Sequence, residues 1–137
     1  MTKRNDIYRC PVCGNVVEVL HEGAILSCCG RPMLKMEPNM KEASEEKHLP
    51  VVSIDGQVMN IKIGAAEHPM SDEHHIEWVE VISGDRQTTH HLRPGDKPQT
   101  SIPFPHDRCD GKNSASACGP LIVRAYCNIH GLWVTEV

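Results

Sequence analysis

The chain has 137 residues, enough for one ordinary domain or two small ones and too few for a large multi-domain enzyme. Lys and Arg number 14 against 18 Asp and Glu, a formal net charge of −4 with no long run of one sign, which argues against a binder that works by neutralising nucleic-acid phosphates. The aromatic residues are two Trp, two Tyr and one Phe, while 12 Val and 10 Ile outnumber 7 Leu, so the core is aliphatic and β-branched and the chain is predicted to be mainly β.

Residues 1–37 hold Cys10, Cys13, Cys28 and Cys29 but only one short alternating apolar run, Val16 to Leu20. A piece with so little to bury needs a staple, and a metal supplies one. Cys10-Pro11-Val12-Cys13-Gly14 has the form of a metal knuckle: two thiolates grip one ion and Gly14 lets the backbone turn around it. Cys28 and Cys29 complete a four-sulfur set, which suits zinc or iron. Being adjacent, they are expected to bind with sulfur–metal–sulfur angles away from tetrahedral. A polar stretch from Glu37 to Lys47 reads as a linker into a second module, 38–137.

Strand patterns follow. Val51 to Ile54 and Gln57 to Ile63 flank Asp55-Gly56 and read as a hairpin with a type I′ turn. Ile76 to Ile82 and Gln87 to Leu92 form a second hairpin, and Leu121 to Tyr126 and Leu132 to Glu136 a third. Six short strands with turn signals between them predict an antiparallel sandwich. Pro103 to Pro120 reads as a long loop holding His106, Cys109 and Cys118. Its two cysteines read either as a disulfide that senses peroxide or as two free surface thiols. There is no run of about 18 apolar residues to cross a bilayer, and no apolar h-region follows Met1-Thr2-Lys3-Arg4, so a cytoplasmic protein is expected. Seven cysteines without an export signal favour metal ligation over a disulfide scaffold.

Several histidines cluster at predicted strand ends, where loops from a rigid sandwich converge. His48 follows Glu46-Lys47, His68 and His74 precede the strand near Ile76, and Cys127 and His130 share one tight turn. Taken singly, His48 and His68 read equally well as ligands or as ordinary solvated or core histidines. Cys127 and His130 are favoured as ligands by their spacing. Four imidazoles and one thiolate together suit a redox iron with one open position. His90 and His91 read as strand residues without a role.

These motifs, in this order, resemble the desulfoferrodoxin family, the two-iron class of superoxide reductase. They are Cys10-x-x-Cys13 with Cys28-Cys29, Glu46-Lys47-His48, His68-Pro69-Met70 with His74, Trp78, Pro94-Gly95-Asp96 and Cys127-Asn128-Ile129-His130-Gly131. The resemblance covers nearly the whole chain. It implies a desulforedoxin-like knuckle module followed by an immunoglobulin-like β-sandwich, with two non-heme irons per chain. One iron is held by Cys10, Cys13, Cys28 and Cys29, and the active one by His48, His68, His74 and His130 with Cys127 as axial ligand. The implied reaction takes superoxide, an electron and two protons to hydrogen peroxide without releasing dioxygen. Lys47 is then the cation that draws the anion in, and Glu46 the carboxylate that occupies the open position of the resting ferric state. The resemblance further implies a homodimer and re-reduction by a rubredoxin-type donor.

Two departures stand out. His75 directly follows His74 where the family commonly has an aromatic residue; neighbours in an extended segment point to opposite sides, so only one of the two is expected to reach the iron, and the spacing favours His74. The 103–120 loop has no counterpart. Two other functions compete with the enzyme: an electron carrier that uses only the four-sulfur iron, and a structural protein stapled by zinc.

Overall fold

The computed structural model describes residues 1–39, 48–84, 86–103 and 121–137. The chain divides into two compact units, Met1–Glu37 and Pro38–Val137.

The first unit is made of very short strands: β1 (Ile7–Arg9), β2 (Val16–Glu18), β3 (Ser27–Cys28), β4 (Arg31–Pro32) and β5 (Leu34–Lys35). They form a three-stranded sheet in the order β2-β1-β5 and a separate β3-β4 ribbon. The buried apolar side chains of this unit are Ile7, Cys10 and Val19, while Leu20, Ile25 and Leu34 stay exposed. Hydrogen bonds do much of the remaining tying: Thr2 N–H donates to Gly23 O at 3.0 Å, and Gly23 N–H donates to Thr2 Oγ1 at 2.9 Å. The adjacent cysteines are explained by the β3-β4 turn. Cys28 pairs with Arg31, so the loop is Cys29-Gly30, and both residues have positive φ (54° and 71°), as a type I′ turn requires. Holding a cysteine there costs about 1–2 kcal/mol relative to an ordinary backbone.

The second unit is an antiparallel sandwich of immunoglobulin-like type. One sheet is β10-β7-β6, from β6 (Pro50–Asp55), β7 (Val58–Ile63) and β10 (Gln99–Pro103). The other is β12-β11-β8-β9, from β8 (Ile76–Ser83), β9 (Arg86–His91), β11 (Leu121–Cys127) and β12 (Gly131–Glu136). Alternate residues from both sheets meet in one core: Met59, Ile61 and Ile63 of β7 and Ile102 of β10 pack with Val79 and Val81 of β8 and Val123, Ala125 and Cys127 of β11. On the other face of the four-stranded sheet, Trp78 stacks on Tyr126 with ring centroids 5.5 Å apart, and buried Arg124 is paired with buried Glu80.

Two expectations are corrected here. The first hairpin turns through Gly56-Gln57, because Asp55 already pairs with Val58; of the two loop residues Gly56 has positive φ (62°), the pattern of a II′ turn rather than I′. The sequence pattern predicts six strands, and the described residues hold a seventh in this unit, β10. Pro98 and Pro103 bracket it and mask its signal; as an edge strand that pairs only to β7 among the described residues, it tolerates proline at its ends. The start of the polar stretch read as a linker is also tied in, since Asn39 N–H donates to Leu132 O at 2.8 Å. Residues Met40 to Lys47 and the loop with His106, Cys109 and Cys118 lie outside the described residues.

One irregularity lies beside the metal-ligand candidates. Tyr126 pairs with Trp78 but Cys127 pairs with Ile76, so β8 carries one extra residue, Glu77, opposite the end of β11. This is a β-bulge, which increases local twist and re-aims side chains.

Candidate metal centres

Cys10, Cys13, Cys28 and Cys29 lie with their sulfurs within 4.8 Å of one another. Cys13 Sγ stands 3.6 Å from Cys28 Sγ, and Cys28 Sγ 3.9 Å from Cys29 Sγ. Four sulfurs set tetrahedrally at about 2.3 Å from one ion are about 3.8 Å apart, so the spacing fits a single tetrahedral metal. The adjacent pair is close to that regular value, and Cys29 reaches it through a left-handed backbone turn.

The knuckle is organised by backbone amides. Val12 N–H and Cys13 N–H both point at Cys10 Sγ, each at 3.4 Å, and Gly14 N–H donates to Cys10 O at 3.1 Å with φ of 82° at Gly14. The amide of Cys13 foremost lowers the Cys10 thiol to about 6, whereas contact with Cys13 pushes Cys29 up to about 12 and raises Cys28. Four thiolates this close require a cation among them. Cys13 and Cys29 are exposed and Cys10 is buried, so the cluster has one inner and one solvent-facing edge.

The second cluster joins His48, His68, His74 and Cys127, three imidazoles and one thiol whose ligand atoms also lie within 4.8 Å of one another. His130 adjoins it: its Nδ1 is 3.0 Å from His48 Nε2 and 3.8 Å from Cys127 Sγ. The four imidazoles close a ring, with centroids 4.6 Å apart for His48–His68, 4.7 Å for His68–His74, 4.9 Å for His74–His130 and 4.7 Å for His130–His48. Neighbouring rings are steeply inclined, by 68° to 79°, while His48 and His74 across the ring are 6.1 Å apart and inclined by only 32°. This is a pinwheel of four nitrogen donors around a centre. Two nitrogens about 2.1 Å from one ion and at right angles to each other lie about 3.0 Å apart, which is the His48–His130 separation.

The individual donors are prepared for the same task. His68 Nδ1–H donates to Pro69 O at 2.6 Å, which fixes the tautomer and leaves Nε2 bare, buried and without a hydrogen-bond partner among the described residues. Burial foremost lowers the His68 imidazole to about 4, so it stays neutral and able to ligate. His48 is buried and lies flat on the indole of Trp133, 4.6 Å away and 19° inclined. Trp133 is thus a support that sequence reasoning missed, since nothing in the Leu132 to Glu136 pattern points to His48. The turn bearing His130 is held by Asn39, whose Nδ2–H donates to His130 O at 2.6 Å.

Cys127 sits at the end of β11, buried, with His130 N–H directed at its sulfur at 3.4 Å. Burial raises its thiol, the amides of His130 and Ile129 oppose that, and Glu77 adds to the rise. A thiol so enclosed ionises only against a positive charge, and a metal ion provides it.

The remaining sequence candidates divide clearly. His75 is not in the cluster; its Nδ1 lies 3.1 Å from Ser71 O. His90 and His91 lie in β9 and join neither ligand set. Glu46 and Lys47 lie outside the described residues. Among the described residues no helix is long and apolar enough to cross a membrane.

The chain matches the family Desulfoferrodoxin over residues 40–136 and the Desulfoferrodoxin N-terminal domain over residues 2–36. It is 42% identical over 137 residues to a desulfoferrodoxin of Syntrophotalea carbinolica, covering 99% of both chains. It is 30% identical over 121 residues to a superoxide reductase of Pyrococcus horikoshii, covering 77% of this chain and 97% of the other. Its fold is shared with the crystal structure of the superoxide reductase from Treponema pallidum, with a TM-score of 0.68 and 21% identity over 97% of this chain and 99% of that one. A four-cysteine set and a set of three histidines and one cysteine in one chain agree with the two iron sites of such proteins. By sequence match over both units, the chain belongs to the desulfoferrodoxin family.

Proposed function

We propose that the chain is a superoxide reductase, with the second cluster as its active site. The observation that carries this reading is the closed ring of four imidazoles with the buried Cys127 thiol against it: an iron held by these five donors would keep a position for a small anion. His48, His68, His74, His130 and Cys127 would hold the active iron, and Cys10, Cys13, Cys28 and Cys29 the other. Bound iron would supply the one-electron reduction of superoxide, which with two protons gives hydrogen peroxide.

The residues of the chain do the rest. Imidazole ligands carry no charge of their own and would leave a bound iron its positive charge, which favours the approach of an anion. Lys47, one residue before His48, is the cation nearest in sequence and would guide superoxide inward. Glu46 would close the open position between turnovers. The exposed edge at Cys13 and Cys29 suits electron entry from a small donor of rubredoxin type. A cytoplasmic homodimer completes the reading.

The test is stoichiometric. Reduced, iron-loaded protein supplied with an electron donor and a measured flux of superoxide should give one hydrogen peroxide per superoxide consumed and no dioxygen. Half that yield with dioxygen evolved would make it a dismutase. A chain that holds iron only in the four-cysteine set and leaves superoxide untouched would make it an electron carrier, and zinc in place of iron would make it structural.

A further inference from the structure

The segment that carries His74 lies just before β8, where the ladder to β11 stops at the Ile76–Cys127 pair. Beyond that point one side chain continues the pairing. Asn128 Oδ1 accepts from His75 N–H at 2.9 Å, Asn128 Nδ2–H donates to Glu73 O at 2.9 Å, and Asn128 N–H donates to His75 O at 3.1 Å. These bonds grip the backbone on both sides of His74. From the other direction, Ser71 Oγ lies 3.2 Å from both His74 N and His74 O, and Ser71 N–H donates to His74 O at 3.0 Å.

We propose that Asn128 is a positioning residue that locks the His74 imidazole to the Cys127 thiolate and so tunes the second iron site. This rests on the reading of that cluster as an iron centre. Asn128 directly follows Cys127 in the chain, so any bond it makes refers the His74 segment to the thiolate through a single peptide unit. The task needs one donor and one acceptor on the same planar group, aimed at a C=O and an N–H of one extended segment. A carboxamide has both; a carboxylate has only acceptors and would face Glu73 O with lone pairs on each side. A ligand held this way cannot drift without moving its neighbour, and the overlap of thiolate and metal depends on that relation. Partners that orient metal ligands are worth about 10–100-fold in metal affinity.

The experiment compares the iron-loaded full chain with its Asn128→Leu and Asn128→Asp variants. Three properties are read at the second site: the energy of the thiolate-to-ferric absorption band, the midpoint potential, and the rate of iron loss to a chelator. The band and potential of the four-sulfur iron serve as the internal reference. Asn128→Leu should move the second-site band and potential and release that iron about 10–100-fold faster, leaving the four-sulfur iron unchanged. Asn128→Asp, which keeps the acceptor for His75 N–H, should fall between. Variants that melt earlier but keep the parent's band, potential and iron retention would reduce Asn128 to a brace of the turn and overturn the proposal. If the leucine variant does not fold, the aspartate variant decides by the same three readouts. A parent protein with no second thiolate band overturns the functional reading itself; a parent with the band and variants identical to it overturn only this inference.

Discussion

The two metal clusters are built on opposite plans. The four sulfurs come from one short stretch, Cys10 to Cys29, in a unit whose buried apolar side chains are Ile7, Cys10 and Val19. The histidine and cysteine cluster gathers residues as far as 82 positions apart and stands on a core shared by two sheets. A metal held in the first unit would support the fold; in the second the fold would support the metal. The difference shows in the backbone as well. Cys29 adopts a left-handed conformation to bring its sulfur in, whereas His68, His74, His130 and Cys127 all lack positive φ.

Removing the metals should break this contrast most visibly. Chelation of both sites is expected to abolish amide protection in Met1–Glu37 while leaving β7, β8 and β11 protected, because binding energy is folding energy where little core exists. Equal loss of protection in both units, followed residue by residue by hydrogen exchange, would erase the distinction. A smaller and more local effect is expected at the paired histidines. His74→Ala should deplete iron from the second site alone, and His75→Ala should leave both irons in place, since its ring is turned to Ser71 O. Metal counting on the purified variants checks this, and the reverse pattern would move the ligand to His75.

The smallest expected effect concerns pH in the metal-free protein. The His68 imidazole has an ordinary value of 6.5 and is lowered to about 4 in the fold. The unfolded chain therefore takes up a proton below about pH 6.5 while the folded chain stays neutral, so stability is unaffected above that pH and declines as pH falls toward 4. A melting temperature of the second unit that rises on acidification across this window would contradict the assignment of His68 as a neutral, buried donor. The first unit carries no such histidine in its cluster, which makes it the comparison.

How far the sequence can be read depends on how local each signal is. The knuckle at Cys10 and Cys13 is legible because ligand spacing and the glycine turn lie within five residues. The alternating patterns of β7 and β8 are legible for the same reason. By contrast, His48 and His68 taken singly carry no ligand signal; their places at strand ends and the family resemblance join them to Cys127, and the structure adds a physical cause by stacking His48 on Trp133 and bonding His68 to Pro69 O. Gln99–Pro103 is hidden because its prolines speak locally against a strand, while its pairing with β7 is decided at long range. The turn at Gly56-Gln57 is displaced by one residue from its expected place because a glycine signals positive φ without saying which loop position it fills.

The extra residue at Glu77 works as a frame shift in the alternation of side chains. Counting inward from Val81 and Val79, a regular strand would direct residue 77, and then 75, toward the core side on which Cys127 lies. With the bulge it is Ile76 that pairs with Cys127 and joins the core, so the count passes to even numbers and His74 joins the cluster with Cys127 while His75 turns to Ser71 O. One inserted residue in β8 thus chooses between two chemically identical neighbours. A chain shortened by deleting Glu77 should therefore lose the bulge yet keep Ile76 in the core and His74 at the cluster, since the residue removed is the one outside the alternation; iron that depended on His75 in that background would contradict this.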